Sequence, residues 1–152
     1  GVFQNKIFKG STINTPSMLC IEDAIHSLKW VETIGGLHTM IERSQSNLEV
    51  IEKWESKTNW VEFLANTKEI RSSTSICLKI VDPWFVKLDL DNKKEVLKKF
   101  FALLEKEGAA YDINHYPSAP LGIRIWGGGT IEKSNIELLL PWLEWAWKNI
   151  AK

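Results

Sequence analysis

Arginine is scarce in this chain. Of 19 basic residues, 16 are lysine and only Arg43, Arg71 and Arg124 are arginine. Any site that needs the planar guanidinium fork has those three candidates. An excess of one charge is missing as well. The 19 acidic residues balance the 19 basic ones, so no net field draws the chain to nucleic acid or to an anionic membrane. No apolar run approaches the roughly 20 residues of a membrane helix. No basic stretch followed by an apolar core marks a secretory signal. Cysteine is limited to Cys20 and Cys77, on an expected helix and an expected strand, which reads as two buried free thiols of a cytoplasmic protein. The three histidines, His26, His38 and His115, have no ligand spacing with either cysteine, so no metal site is expected.

Tryptophan, by contrast, is abundant. Eight tryptophans in 152 residues exceed what a free-standing domain of this size needs, and some are expected to face a surface that another part covers. A chain opening on Gly1-Val2 without methionine is expected to be a piece of a longer one. Its length is one domain's worth, enough to bury a core.

Periodicity sets out the elements. Residues 1–9 carry none. Met18, Ile21, Ile25, Leu28 and Val31 recur at helical spacing to about Thr33, where Gly35-Gly36 ends the run. A second helix follows, with Met40, Ile41, Ser44, Leu48 and Ile51 inward, to about Lys57. Extended pieces lie around residues 60–64 and 75–81, the latter with Ile76, Leu78 and Ile80 on one face. Asp91 is expected to cap a helix carrying Val96, Leu97, Phe100, Phe101 and Leu104, ended by Gly108. Lys93, Lys94, Lys98 and Lys99 form its solvated face, without the interleaved aromatics of a nucleic-acid site. A strand over 110–113 leads through an irregular segment to another at 121–126. Ser134 and Glu137 read as a capping box for the last helix, in which Pro141 predicts a kink. Helices and strands that do not alternate strictly give an α+β fold, a small mostly antiparallel sheet with helices on one face.

Two segments carry chemistry. In Gly10-Ser11-Thr12-Ile13-Asn14-Thr15-Pro16-Ser17-Met18, proline suits the first helical position and Thr15 the N-cap. Hydroxyl and amide donors on Ser11, Thr12, Asn14 and Thr15 then gather at a helix N-terminus, where an anion is favoured; an ordinary capped helix explains the same residues. The second is Pro120-Leu121-Gly122-Ile123-Arg124-Ile125-Trp126-Gly127-Gly128-Gly129-Thr130. Leu121, Ile123 and Ile125 point one way, with Gly122, Arg124 and Trp126 the other. Arg124 is placed either to hold a carboxylate bidentately or to pair with a glutamate of its own domain. The glycines leave room for close approach. Arg71, beside Ser72, Ser73 and Thr74, reads as a structural ion pair before it reads as an anion site.

These segments resemble the phosphoserine aminotransferase family, pyridoxal-phosphate enzymes of the aspartate-aminotransferase fold type. The resemblance runs in order along nearly the whole chain. It takes in S-T-I-N-T-P-S-M at 11–18, A-I-H-S-L-K-W at 24–30, I-G-G-L at 34–37 and I-R-S-S-T-S-I-C-L-K-I-V-D-P at 70–83. L-L-E-K-E-G at 103–108, G-I-R-I-W at 122–126 and P-W-L-E-W-A at 141–146 complete it. It is to the family's C-terminal part, and it implies a lead-in segment with a cofactor-phosphate loop at 1–15 and a small domain at 16–152.

The resemblance also implies roles. Asn14 and Thr15 would bind the phosphate of a cofactor held mainly by the neighbouring subunit of a homodimer, and Arg124 would hold the α-carboxylate of a small-molecule substrate. Family members with a different ending carry a His-Arg pair before the arginine strand; here His115-Tyr116-Pro117 offers His115 alone for the substrate phosphate. The Schiff-base lysine, the aspartate under the pyridine nitrogen and the stacked aromatic lie upstream in that family. No catalytic residue is therefore assigned, and the chain alone is expected to be inactive and to bind no pyridoxal phosphate. A stand-alone amino-acid-binding module, a dimerisation domain, and an alanine–glyoxylate or serine–pyruvate aminotransferase stay open as alternatives.

Overall fold

A computed structural model describes residues 5–12 and 14–151, except for the side chain of Ile7; residues 1–4 and Ile13 of the lead-in segment lie outside the described residues. The chain divides into two compact units, residues 1–38 and 39–152.

In the first unit a short 3-10 helix, Asn5–Lys9, occupies the stretch without periodicity. Helix α1 then runs over Met18–Thr33. Its start differs from the expected one. Ser17, not Thr15, is the N-cap, with an extended backbone and a hydroxyl accepting from Cys20 N at 3.5 Å. Pro16 therefore precedes the cap instead of opening the helix. Serine caps better than threonine, and placing it there leaves proline ahead of the helix. The other end follows expectation: Ile34 N donates to Trp30 O, and Gly35 and Gly36 take φ of 110° and 74°, a region closed to most side chains. No residue of α1 is buried, and Met18, Leu19 and Leu28 are each more than 60% exposed. Cys20 shares that exposure, so the expectation of a buried thiol fails there.

The second unit is the α+β body. Its sheet is antiparallel in the order β1 (Val61–Phe63), β2 (Ser75–Ile80), β3 (Ile123–Trp126). The register places Val61 opposite Ile80, Phe63 opposite Leu78, and Ile76 opposite Ile125. Because side chains alternate along a strand, all the buried strand residues share one face. Helices α2 (Gly36–Glu55), α4 (Leu90–Lys106) and α5 (Lys133–Ile150) supply the rest of the core through Ile51, Leu97, Phe100, Leu104, Leu143 and Trp147. A short helix α3, Pro83–Val86, is capped by Asp82, whose side chain accepts from Trp84 N. Residues 110–113 form no strand; Asn114 makes one isolated bridge to Ile123.

Two further details differ from the sequence reading. Asp89, not Asp91, caps α4, its carboxylate accepting from Asn92 N at 2.9 Å and from Asn92 Nδ2 at 2.6 Å. Glu132 stands at the N-cap of α5 without a side-chain cap bond, so the Ser134–Glu137 box is not used. Helix α5 carries Pro141 inside its length, where a kink is expected. Burial on both sides of that proline, at Leu140 and Leu143, gains more than the hydrogen bond it removes.

The tryptophans explain themselves in part. Trp60 stacks on Trp147 at 4.7 Å, and both are buried. Their indole N–H groups are satisfied: Trp60 and Trp54 both donate to Glu144 Oε1 at 3.0 Å, and Trp147 donates to Asp82 Oδ2 at 3.0 Å. Trp142 and Trp145 stay over a third exposed. Among the described residues no helix is long and apolar enough to cross a membrane, and no cluster could hold a metal ion.

Candidate functional site

Arg124 is placed by its strand. Ile123 and Ile125 are buried on the core face of β3, which turns Arg124 to the opposite face. Its side chain is only 12% exposed. One nitrogen, Nη2, donates to both the backbone carbonyl of Asp112 at 3.1 Å and its Oδ2 at 3.2 Å. The guanidinium carbon sits 4.6 Å from the Tyr116 ring centroid, a contact that holds the plane. The buried Nε has no acceptor among the described residues. The in-domain partner expected as a glutamate is thus an aspartate, and its carboxylate is 91% exposed. An exposed partner on a buried fork is a weak pair. Much of this arginine's donor capacity is left over.

His115 and Arg124 line one small cavity together with Tyr116. Nδ1 of His115 is buried and has no partner among the described residues. Asn14 and Thr15 belong to the first unit and are exposed. Because Ser17 makes the cap, the Thr15 hydroxyl is not consumed by it, and neither side chain has a partner among the described residues. Neutral donors at a helix start, with no carboxylate in residues 10–17, fit a phosphate group chemically.

The other two arginines are structural. Arg71 Nη1 donates to Glu52 Oε1 at 2.7 Å, and its guanidinium stacks 3.9 Å from the Phe63 ring centroid; Lys68 reaches the same carboxylate at 3.6 Å. Arg43 donates to Gly129 O at 2.7 Å and pairs with Glu132. The room left by the glycines is filled from within. A Cβ at Gly127 would lie 2.7 Å from Ile76 Cδ1 and one at Gly129 would lie 2.8 Å from Met40 Cε. Asn47, fully buried, donates through Nδ2 to Gly127 O and Ile131 O, both at 3.0 Å. Asn47, Asp112 and Tyr116 were not singled out from the sequence as supports of the arginine strand.

No protein-family model matches the chain. The chain is 51% identical over 152 residues to the phosphoserine aminotransferase of Methanosarcina barkeri, covering 100% of this chain and 38% of that protein. To the phosphoserine aminotransferase of Methanosarcina mazei it is 50% identical over 147 residues, covering 97% of this chain and 37% of that protein. The chain is a relative of phosphoserine aminotransferases. It spans about two fifths of the length of the curated relatives it matches. Its fold agrees with solved phosphoserine aminotransferases. That from Bacillus circulans subsp. alkalophilus superposes with a TM-score of 0.76 at 19% identity, over 95% of this chain and 36% of that one. A phosphoserine aminotransferase solved to follow radiation damage of its Schiff base gives 0.75 at 18% identity, over 95% and 37%. At those identities the likeness is one of fold.

Proposed function

We propose that the chain is the C-terminal part of a phosphoserine aminotransferase, an enzyme that moves an amino group between glutamate and 3-phosphohydroxypyruvate in serine biosynthesis. Residues 1–15 would form the lead-in with the cofactor-phosphate loop and residues 16–152 the small domain, in a cytoplasmic homodimer. The observation that carries this is the identity along the whole chain to the Methanosarcina barkeri protein. It favours phosphoserine aminotransferase over the alanine–glyoxylate and serine–pyruvate enzymes, and over a stand-alone binding or dimerisation module.

Each residue then has a task of its own. When bound, pyridoxal phosphate supplies the electron sink of the reaction. Asn14 and Thr15 would hold its phosphate with neutral donors beside the start of α1. Arg124 would receive the substrate α-carboxylate, its plane set by Tyr116 and its approach by the strand, which orients the Cα–H before any bond changes. His115, sharing the small cavity with Arg124, would meet the substrate phosphate.

The test is an exchange of segments. This chain replaces the matching stretch of the Methanosarcina barkeri protein, and glutamate-dependent turnover of 3-phosphohydroxypyruvate is measured. Turnover in the hybrid, and none by the 152-residue chain alone, is the expected result. A folded hybrid that prefers glyoxylate or pyruvate as acceptor would overturn the substrate assignment.

A further inference from the structure

Asp112 is the one described non-glycine residue at positive φ, 51°. Few side chains tolerate that conformation; aspartate and asparagine are among those that do. The turn aims two oxygens of the same residue at the same nitrogen, the carbonyl and Oδ2 of Asp112 at Arg124 Nη2. The two differ in kind. The carbonyl is fixed by the backbone, and the next residue anchors it, since Ile113 O accepts from Arg124 N at 2.8 Å. The carboxylate is 91% exposed and swings away at little cost. Beside the pair lies an open groove of about 420 Å³, lined also by Trp126, Asn135 and Leu139, so an entering carboxylate has room.

We infer that Asp112 is a specificity-determining residue: its side chain holds Nη2, one arm of the Arg124 fork, until a substrate carboxylate displaces it, while its carbonyl keeps the fork in position. This rests on the reading of Arg124 as the carboxylate receptor. Asp112 then weakens the binding of every carboxylate ligand by the worth of one exposed ion pair. It also disfavours ligands that cannot offer a carboxylate in return, because only a comparable anion replaces what is lost.

The experiment uses the chain as it stands. L-Glutamate is titrated at fixed ionic strength, and binding is followed through the Arg124 side-chain Nε–H signal in proton–nitrogen NMR, alongside the thermal midpoint of each variant. Asp112→Asn keeps the carbonyl and the left-handed backbone and removes the charge; Asp112→Gly serves the same purpose if the first variant misfolds. Glutamate should bind either variant roughly two- to fivefold more tightly than the parent, the factor that one exposed pair is worth. Arg124→Gln should abolish binding in both backgrounds. Unchanged or weaker affinity in the Asp112 variants, with Arg124→Gln still abolishing binding, overturns the role of Asp112 alone. A lowered midpoint without a change in affinity does the same. Binding that survives Arg124→Gln, or is absent throughout, overturns the Arg124 reading and this inference with it.

Discussion

Removing the Asn47 side chain should cost more than its small size suggests. The residue is fully buried, and its amide is the donor that satisfies Gly127 O and Ile131 O across 80 and 84 residues of sequence. In Asn47→Ala both carbonyls stay buried without that donor. An abandoned buried acceptor costs roughly 1–3 kcal/mol. Against this, the variant also removes Asn47 Oδ1, which is itself buried and unpartnered. The balance is a loss of about 2–4 kcal/mol, equivalent to roughly 5–15 °C in Tm for a chain of this length. Asn47→Asp is the sharper variant. It keeps the shape but, when ionised, sets a carboxylate against carbonyl oxygens with no proton to offer. It should be less stable than Asn47→Ala at pH 7. Burial among acceptors raises the folded-state pKa of such an aspartate, so the gap should close as pH falls and the acid regains a donor. Urea denaturation read through the buried stacked pair Trp60 and Trp147 measures all three proteins. Asn47→Ala within 0.5 kcal/mol of the parent, or Asn47→Asp as stable as the parent, would refute the reasoning.

Gly122→Ala should abolish cooperative unfolding or cost at least about 3 kcal/mol, because the new Cβ would lie 2.1 Å from Leu78 O in the adjacent strand; a normal denaturation curve would disprove it. Asp89→Ala should lower Tm at neutral pH through loss of the α4 cap. The backbone and side-chain amides of Asn92 hold the Asp89 carboxyl below its ordinary value of 3.8. A lowered folded-state pKa stabilises above the unfolded value and is lost as pH falls through the folded one, so the two Tm curves should converge below about pH 4. In the segment-exchanged enzyme, Arg124→Lys should raise KM for both amino and keto substrates by the equivalent of roughly 1.5–3 kcal/mol, since a point ammonium does not reproduce the fork; unchanged KM values would leave Arg124 a structural residue. The isolated chain should self-associate through Trp142 and Trp145, which are 39% and 37% exposed and in edge contact at 5.4 Å. Light scattering that shows a strict monomer at high concentration, or unchanged association after Trp142→Ser with Trp145→Ser, would contradict this.

Local pattern carried far along this chain, and it stopped where partners were needed. Period and punctuation marked α1, α2, α4 and α5, the alternation of β2 and β3, and the glycine exit of α1, because each depends on neighbours a few residues away. The caps shifted by two residues for the same local reason: Ser17 and Asp89 compete with Thr15 and Asp91 as hydrogen-bond acceptors, and backbone geometry chooses between them. The order of motifs also carried the family. What tertiary structure alone decided is who meets whom. That Asn47 closes the glycine loop, that Glu144 serves two indoles, and that residues 110–113 leave the sheet all depend on contacts far apart in sequence. So does the state of Arg124. Its strand and facing were written in alternating hydrophobicity. The aspartate on its fork was not, because Asp112 reaches it only through a left-handed turn that the run from Ala110 to Ile113, apolar enough to pass for a strand, does not announce.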